Sequence, residues 1–134
     1  MIDPQPALIY TMVLVSASDS DMTDSELQTI GDIVKQLPVF RGFASSGLTT
    51  TAQECAKSLG EDDGLEKTLE LIAGSLPKHL RETAYALACD VAAADGEASQ
   101  EELRLLQLLR HRLKVGRLES AAIERGVRAR YATI

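Results

Sequence analysis

Aromatic side chains are scarce in this sequence. Its 134 residues include no tryptophan, three tyrosines and two phenylalanines. The core must therefore be aliphatic, built from Leu, Ile, Val and Ala, a mix that favours helices over strands because strands prefer β-branched and aromatic residues. Cysteine is equally sparse. Cys55 and Cys89 alone exclude a disulfide scaffold and a Cys-rich zinc site. No apolar run reaches about 18 residues, so no transmembrane helix is expected. The opening Met1-Ile2-Asp3-Pro4 lacks the basic segment of a secretory signal, which makes the cytoplasm the expected location. Positive charge is in deficit, with a net of −6, and this disfavours nucleic acid and anionic lipid as partners of the whole surface. A Gly-rich phosphate loop between a strand and a helix is missing as well.

What is present is ordinary for a globular chain: 45% hydrophobic and 25% charged residues. The length fits one domain spanning 1–134 with a single sizeable core. Charge is unevenly spread. Residues 1–103 carry 18 acids and 6 bases, and residues 104–134 carry 8 bases and 2 acids. Complementing the C-terminal ends of the last helices explains such a basic tail. A docking patch for an anionic partner is the competing explanation.

Along the chain, Pro4 and Pro6 precede the apolar stretch Ala7 to Val15, which suits a buried helix, with a strand left open by periodicity alone. Thr23-Asp24-Ser25-Glu26 reads as a capping box opening a helix with Leu27, Ile30, Val34 and Leu37 inward and Pro38 as its stop. Phe40 and Phe43 anchor the loop that follows. A third helix is expected over about 48–59, with Leu48, Cys55, Ala56 and Leu59 on its apolar face. A fourth, over about 65–75, turns Leu65, Leu69, Ile72 and Ala73 inward. Pro77 is expected in the first turn of a long fifth helix with Leu80, Ala84, Leu87, Ala88 and Val91 inward. Ser99-Gln100-Glu101-Glu102 is a second capping box, and its helix presents Leu103, Leu106, Leu109 and Leu113. After Gly116 a seventh helix carries Leu118, Ala122 and Val127. The fold class is all-α, a compact bundle of about seven helices.

One feature repeats. Shifted by 76 residues, LVSASDSDMTDSEL (14–27) aligns with DVAAADGEASQEEL (90–103), with five of fourteen positions identical and four conservative. Each copy encodes a helix, an acidic turn and a capped helix, in repeat units of about 7–37 and 81–113. Asp19 and Asp95 end the first helix of each unit. Asp21 and Glu97 follow two residues on, and Glu26 and Glu102 sit in the opening turn of the next helix. A sharp turn would bring three carboxylates together, and a hard divalent cation relieves their repulsion: Ca²⁺ first, with Mg²⁺ and Mn²⁺ as alternatives. The spacing D-x-[DE]-x-[TS]-x-x-E is four residues shorter than an EF-hand loop, so this is a different device. The competing explanation needs no metal. Glu26 and Glu102 cap helices, and Asp19 and Asp95 start turns. Capping leaves the recurring acid at Asp21 and Glu97 unexplained.

The acidic turn Asp95-Gly96 to Glu102, its partner Asp19 to Glu26, and the stretch RETAYALACDVAAADGEASQEELRLLQLLR (81–110) resemble the tellurite-resistance TerB-like family over about residues 7–130. The resemblance implies an all-α fold of about seven helices with pseudo-two-fold character and an acidic cluster proposed to bind divalent metal. It also implies a role in tellurite or other stress resistance through membrane-associated or signalling protein partners. Carried onto this chain, the metal candidates are Asp19, Asp21, Glu26, Asp95, Glu97 and Glu102. Ser20 stands where the second unit has Gly96, and Asp90 is an additional acid near the second site.

Three readings follow. The first is a non-enzymatic divalent-cation-binding module acting through a protein partner. The second is a metal-independent helical interaction module whose acids only cap helices. The third, an enzyme, is disfavoured: His79 and His111 are isolated and read as surface residues, while Cys55 and Cys89 read as small buried hydrophobes rather than reactive thiols.

Overall fold

The computed structural model describes residues 1–17, 23–94, 96 and 98–134. Among these are seven α-helices and no strand: α1 (Pro4–Ser16), α2 (Asp24–Gln36), α3 (Leu48–Leu59), α4 (Gly64–Ser75), α5 (Arg81–Ala94), α6 (Gln100–Arg112) and α7 (Arg117–Arg130). Short 3-10 turns occupy Pro38–Phe40, Ser45–Gly47 and Lys78–Leu80. No described helix is long and apolar enough to cross a membrane.

The apolar stretch left open between helix and strand is helical. Pro4 begins α1, where a missing N–H costs nothing. Every residue from Ala7 to Ala17 is buried, because α2, α3, α4, α5 and α6 all pack around it. A helix apolar on all sides is stable only as the axis of a bundle. Its one central polar group, the Thr11 hydroxyl, donates to Ala7 O at 2.9 Å and so is buried satisfied.

α5 is the second hub. It packs on α1, α2, α6 and α7, burying Ala84, Leu87, Ala88 and Val91 as the periodicity predicts. α7 rests chiefly on α5. Between α2 and α3, Phe40 is buried and meets Phe43 edge-on with ring centroids 6.3 Å apart.

Several expected faces are corrected. Leu65 is exposed, and Thr68 takes the inward place beside Leu69 and Ile72. In α6, Leu103 is 47% exposed and Leu105 is buried with Leu109 and Leu113. Leucines surround that helix, so spacing alone does not fix its rotation. Leu118 is 79% exposed and Ala122 is also exposed, leaving Ser120 and Val127 as the buried residues of α7. Pro77 does not begin α5. Its ψ of 153° is extended, it caps the 3-10 turn Lys78–Leu80, and α5 starts at Arg81. Gly64 admits no side chain, since a Cβ there would lie 2.2 Å from Ser58 O.

Candidate functional site

The two acidic turns join α1 to α2 and α5 to α6. Asp19, Asp21, Asp95 and Glu97 lie outside the described residues; Glu26 and Glu102 lie within them. Both glutamates occupy the third position of their helix and close the expected capping boxes. The Glu26 N–H donates to Thr23 Oγ1 at 3.1 Å, and the Thr23 N–H and hydroxyl donate to Glu26 Oε1 at 3.1 and 2.8 Å. In the second unit the Glu102 N–H donates to Ser99 Oγ at 3.1 Å, and the Ser99 N–H donates to Glu102 Oε1 at 3.0 Å. Each carboxylate therefore spends Oε1 on the cap. Among the described residues neither Oε2 accepts a hydrogen bond. Local sequence dictates this: Thr or Ser followed three residues later by Glu satisfies two orphan N–H groups at once.

Gly96 has φ +97°, a left-handed conformation that glycine adopts without strain. Its N–H donates to Ala93 O at 3.1 Å, in the last turn of α5. Among the described residues no three His, Cys, Asp or Glu side chains gather around one point. Asp90, the additional acid near the second turn, is engaged by Arg130 of α7. The Ser16 hydroxyl in the last turn of α1 is buried without a partner among the described residues.

The thiols are ill-suited to redox chemistry. Burial pushes both Cys55 and Cys89 up to about 12. A thiol at that value is almost wholly protonated near neutrality, and the thiolate is the reactive form. Cys55 Sγ lies 3.7 Å from Tyr10 O. Near Cys89, the Tyr85 hydroxyl donates to Glu124 Oε2 at 2.7 Å. Burial first, then that hydrogen bond, raises the Tyr85 pKa well above its ordinary value. His79 and His111 are exposed, as expected.

A family model described as Tellurite resistance protein TerB matches residues 5–125. The chain belongs to the TerB family. Neither a curated protein nor a solved structure matches it. The match spans both acidic turns of this TerB-family chain and all seven helices apart from the end of α7 and the first residue of α1.

The basic segment divides in two. Arg110, His111 and Arg112 close α6, and Arg128 and Arg130 close α7, where the helix dipole favours cations. Arg125, in mid-α7, and Arg104 and Arg117 have no such explanation. Arg104 lies in the second turn of α6, and Arg117 is the first residue of α7, where the dipole disfavours a cation. The sequence pointed to the tail as a whole and did not separate these two residues.

Proposed function

We propose that this TerB-family chain is a non-enzymatic, divalent-cation-binding helical module that serves tellurite or a related stress resistance in the cytoplasm through a protein partner. One observation carries the cation reading. The capping boxes fix Glu26 and Glu102 at the ends of the two acidic turns, each with Oε2 uncommitted among the described residues. Carboxylate oxygens suit a hard cation, with Ca²⁺ favoured over Mg²⁺ and Mn²⁺. Asp19, Asp21 and Glu26 would hold it in the first unit, and Asp95, Glu97 and Glu102 in the second. A bound cation would neutralise the turn and lock the angle between paired helices, so that the chain's output is a shape a partner reads. The high pKa of both thiols supports a role without catalysis.

The completeness of the same capping boxes favours a second reading. A glutamate already satisfied as a cap needs no metal to justify it, and the chain is then a metal-independent interaction module.

Thermal unfolding of chelator-stripped protein separates the two. A cation at about a hundred times its dissociation constant adds roughly 2.7 kcal/mol. At roughly 3–5 °C per kcal/mol, the midpoint should rise by about 8–14 °C. Glu102→Gln combined with Asp95→Asn should abolish the rise from the second turn. Glutamine still closes a capping box, so the variant's metal-free midpoint should stay close to that of the parent. No shift with any of the three cations at millimolar concentration overturns the cation reading and leaves the interaction module.

A further inference from the structure

The last three helices leave a helix-sized vacancy. α6 and α7 both pack on α5 but make little contact with each other, and a groove of about 1040 Å³ runs between them. Its floor is α5, through Tyr85, Cys89, Ala92 and Ala93. One wall is the α6 stripe Gln100, Leu103, Arg104, Gln107, at the i, i+3, i+4, i+7 spacing of a single helix face. The other is the α7 stripe Arg117, Ser120, Ala121, Glu124, continued by Val127 and Arg128. The α6 wall from Gln100 to Arg110 is about 16 Å long, three turns of helix. Three helix faces turned toward one empty axis make the socket of a bundle lacking a member.

The lining says what fits. Small alanines on the floor permit close approach, and Leu103 stands 47% exposed on the wall. Four arginines, Arg104, Arg110, Arg117 and Arg128, ring the groove, and none of them forms a salt bridge among the described residues. Arg104 and Arg117, which the helix dipole leaves unexplained, line opposite walls here. The single acid of the lining among the described residues, Glu124, is tied to the floor by the Tyr85 hydroxyl. Tyr85, the only aromatic residue in the lining among the described residues, is itself buried, so no ring is offered for base stacking and nucleic acid is disfavoured.

We propose that this groove receives an acidic amphipathic helix of a partner protein. Leucine-type residues would face Ala92, Ala93 and Leu103, and flanking carboxylates would face the arginine rim. Gly96 and Ala98, from the second acidic turn, line one end of the groove, so the angle set by that turn would adjust the spacing of α5 and α6. The proposal rests on the chain acting through a partner and is independent of whether a cation binds.

The test uses the full chain and two labelled 18-residue designed peptides. Both carry leucines at i, i+3, i+4 and i+7, one with glutamates on its flanks and the other with lysines. Fluorescence anisotropy should show the acidic peptide binding at least tenfold more tightly than the basic one. Ala121→Trp, at an exposed wall position, should fill the groove without altering charge, and Arg104→Glu with Arg117→Glu should reverse the rim. Each should weaken binding at least tenfold while the thermal midpoint stays near that of the parent. Equal affinity for both peptides, or indifference to both variants, overturns the proposal. So does binding to phosphatidylglycerol vesicles in place of the peptide, or a dimer in sedimentation that Ala121→Trp dissolves, which would assign the groove to a second copy. Titrations in EDTA and again in Ca²⁺ keep the two hypotheses apart. Peptide binding by a chain whose thermal midpoint no cation shifts refutes the cation reading alone, and a cation-stabilised chain without peptide binding refutes the groove alone.

Discussion

α1 with α2, and α5 with α6, start from matching sequence and end in different surroundings. Both pairs place a capped helix after an acidic turn, with Thr23–Glu26 and Ser99–Glu102 forming the same reciprocal hydrogen bonds. Yet Leu14 is enclosed while Asp90, its counterpart 76 residues on, pairs with Arg130 near the surface. Val13 is wholly buried, and its counterpart Cys89 lies on a groove floor. Local instructions fix the cap. The number of neighbours fixes the rest: five helices surround α1, while α5 keeps a side on which α6 and α7 stay apart. The first pair supplies the axis of the fold, and the second supplies a surface.

Exchanging the character of Leu14 and Asp90 attacks this difference most directly. Leu14→Asp buries an unpaired charge and should abolish folding, read by circular dichroism. Leu14→Ala should cost about 3 kcal/mol in urea unfolding. Asp90→Leu removes one partly exposed ion pair and should change stability by less than about 1 kcal/mol. Comparable losses at the two positions would refute the assignment of axis and surface.

The thiols give a pH-dependent contrast. Both shift from an ordinary value of 9 to about 12 on burial. A raised folded-state value means that their contribution to stability is complete below pH 9 and is lost as the pH climbs toward 12. Stability of the parent should therefore fall across that interval, and a Cys55→Ala, Cys89→Ala variant should show a shallower decline. In native protein at pH 8, a thiol reagent should label Cys89 faster than Cys55, because the groove floor opens more readily than the packing against α1.

Gly96→Ser gives the second turn the residue that the first carries at Ser20. With φ at +97°, a side chain there should cost about 1–2 kcal/mol. The caps should give the smallest and most even effects. Thr23→Ala and Ser99→Ala should each lose about 1 kcal/mol, and near-equal values would establish that the two boxes do the same local work.

Much of this was legible in sequence because it is local. Capping boxes need four residues, and Thr23–Glu26 and Ser99–Glu102 announced two helix starts. The apolar stretch from Ala7 announced a buried element. Rotation was harder to read. α6 carries leucines at 103, 105, 106, 108 and 109 and ends on Leu113 as its C-cap, so several faces satisfy the helical period, and only the neighbours select Leu105 over Leu103. Leu118 misled for a related reason: α7 leans chiefly on α5, and Ser120 and Val127 fill that contact. Pro77 fitted a helix start but obeys the extended preference that precedes a 3-10 turn. The groove left no sequence signal, because it exists where two non-adjacent stripes fail to meet. Of the candidate site, the sequence located two glutamates whose caps are formed, and the four acids between them lie outside the described residues.

The enclosure of α1 also has a consequence in time. The chain is synthesised from its N-terminus, so the segment that needs the most company emerges first. About eighty residues separate it from the end of α5, which at roughly 5–20 residues per second is a wait on the order of ten seconds. Throughout that interval the side of α1 that α5 and α6 cover stays open, even as α2, α3 and α4 arrive, and is a target for holding chaperones. Nascent chains arrested before Ala94 should remain chaperone-bound, and release should coincide with emergence of α5, making the fifth helix the latch that commits the first.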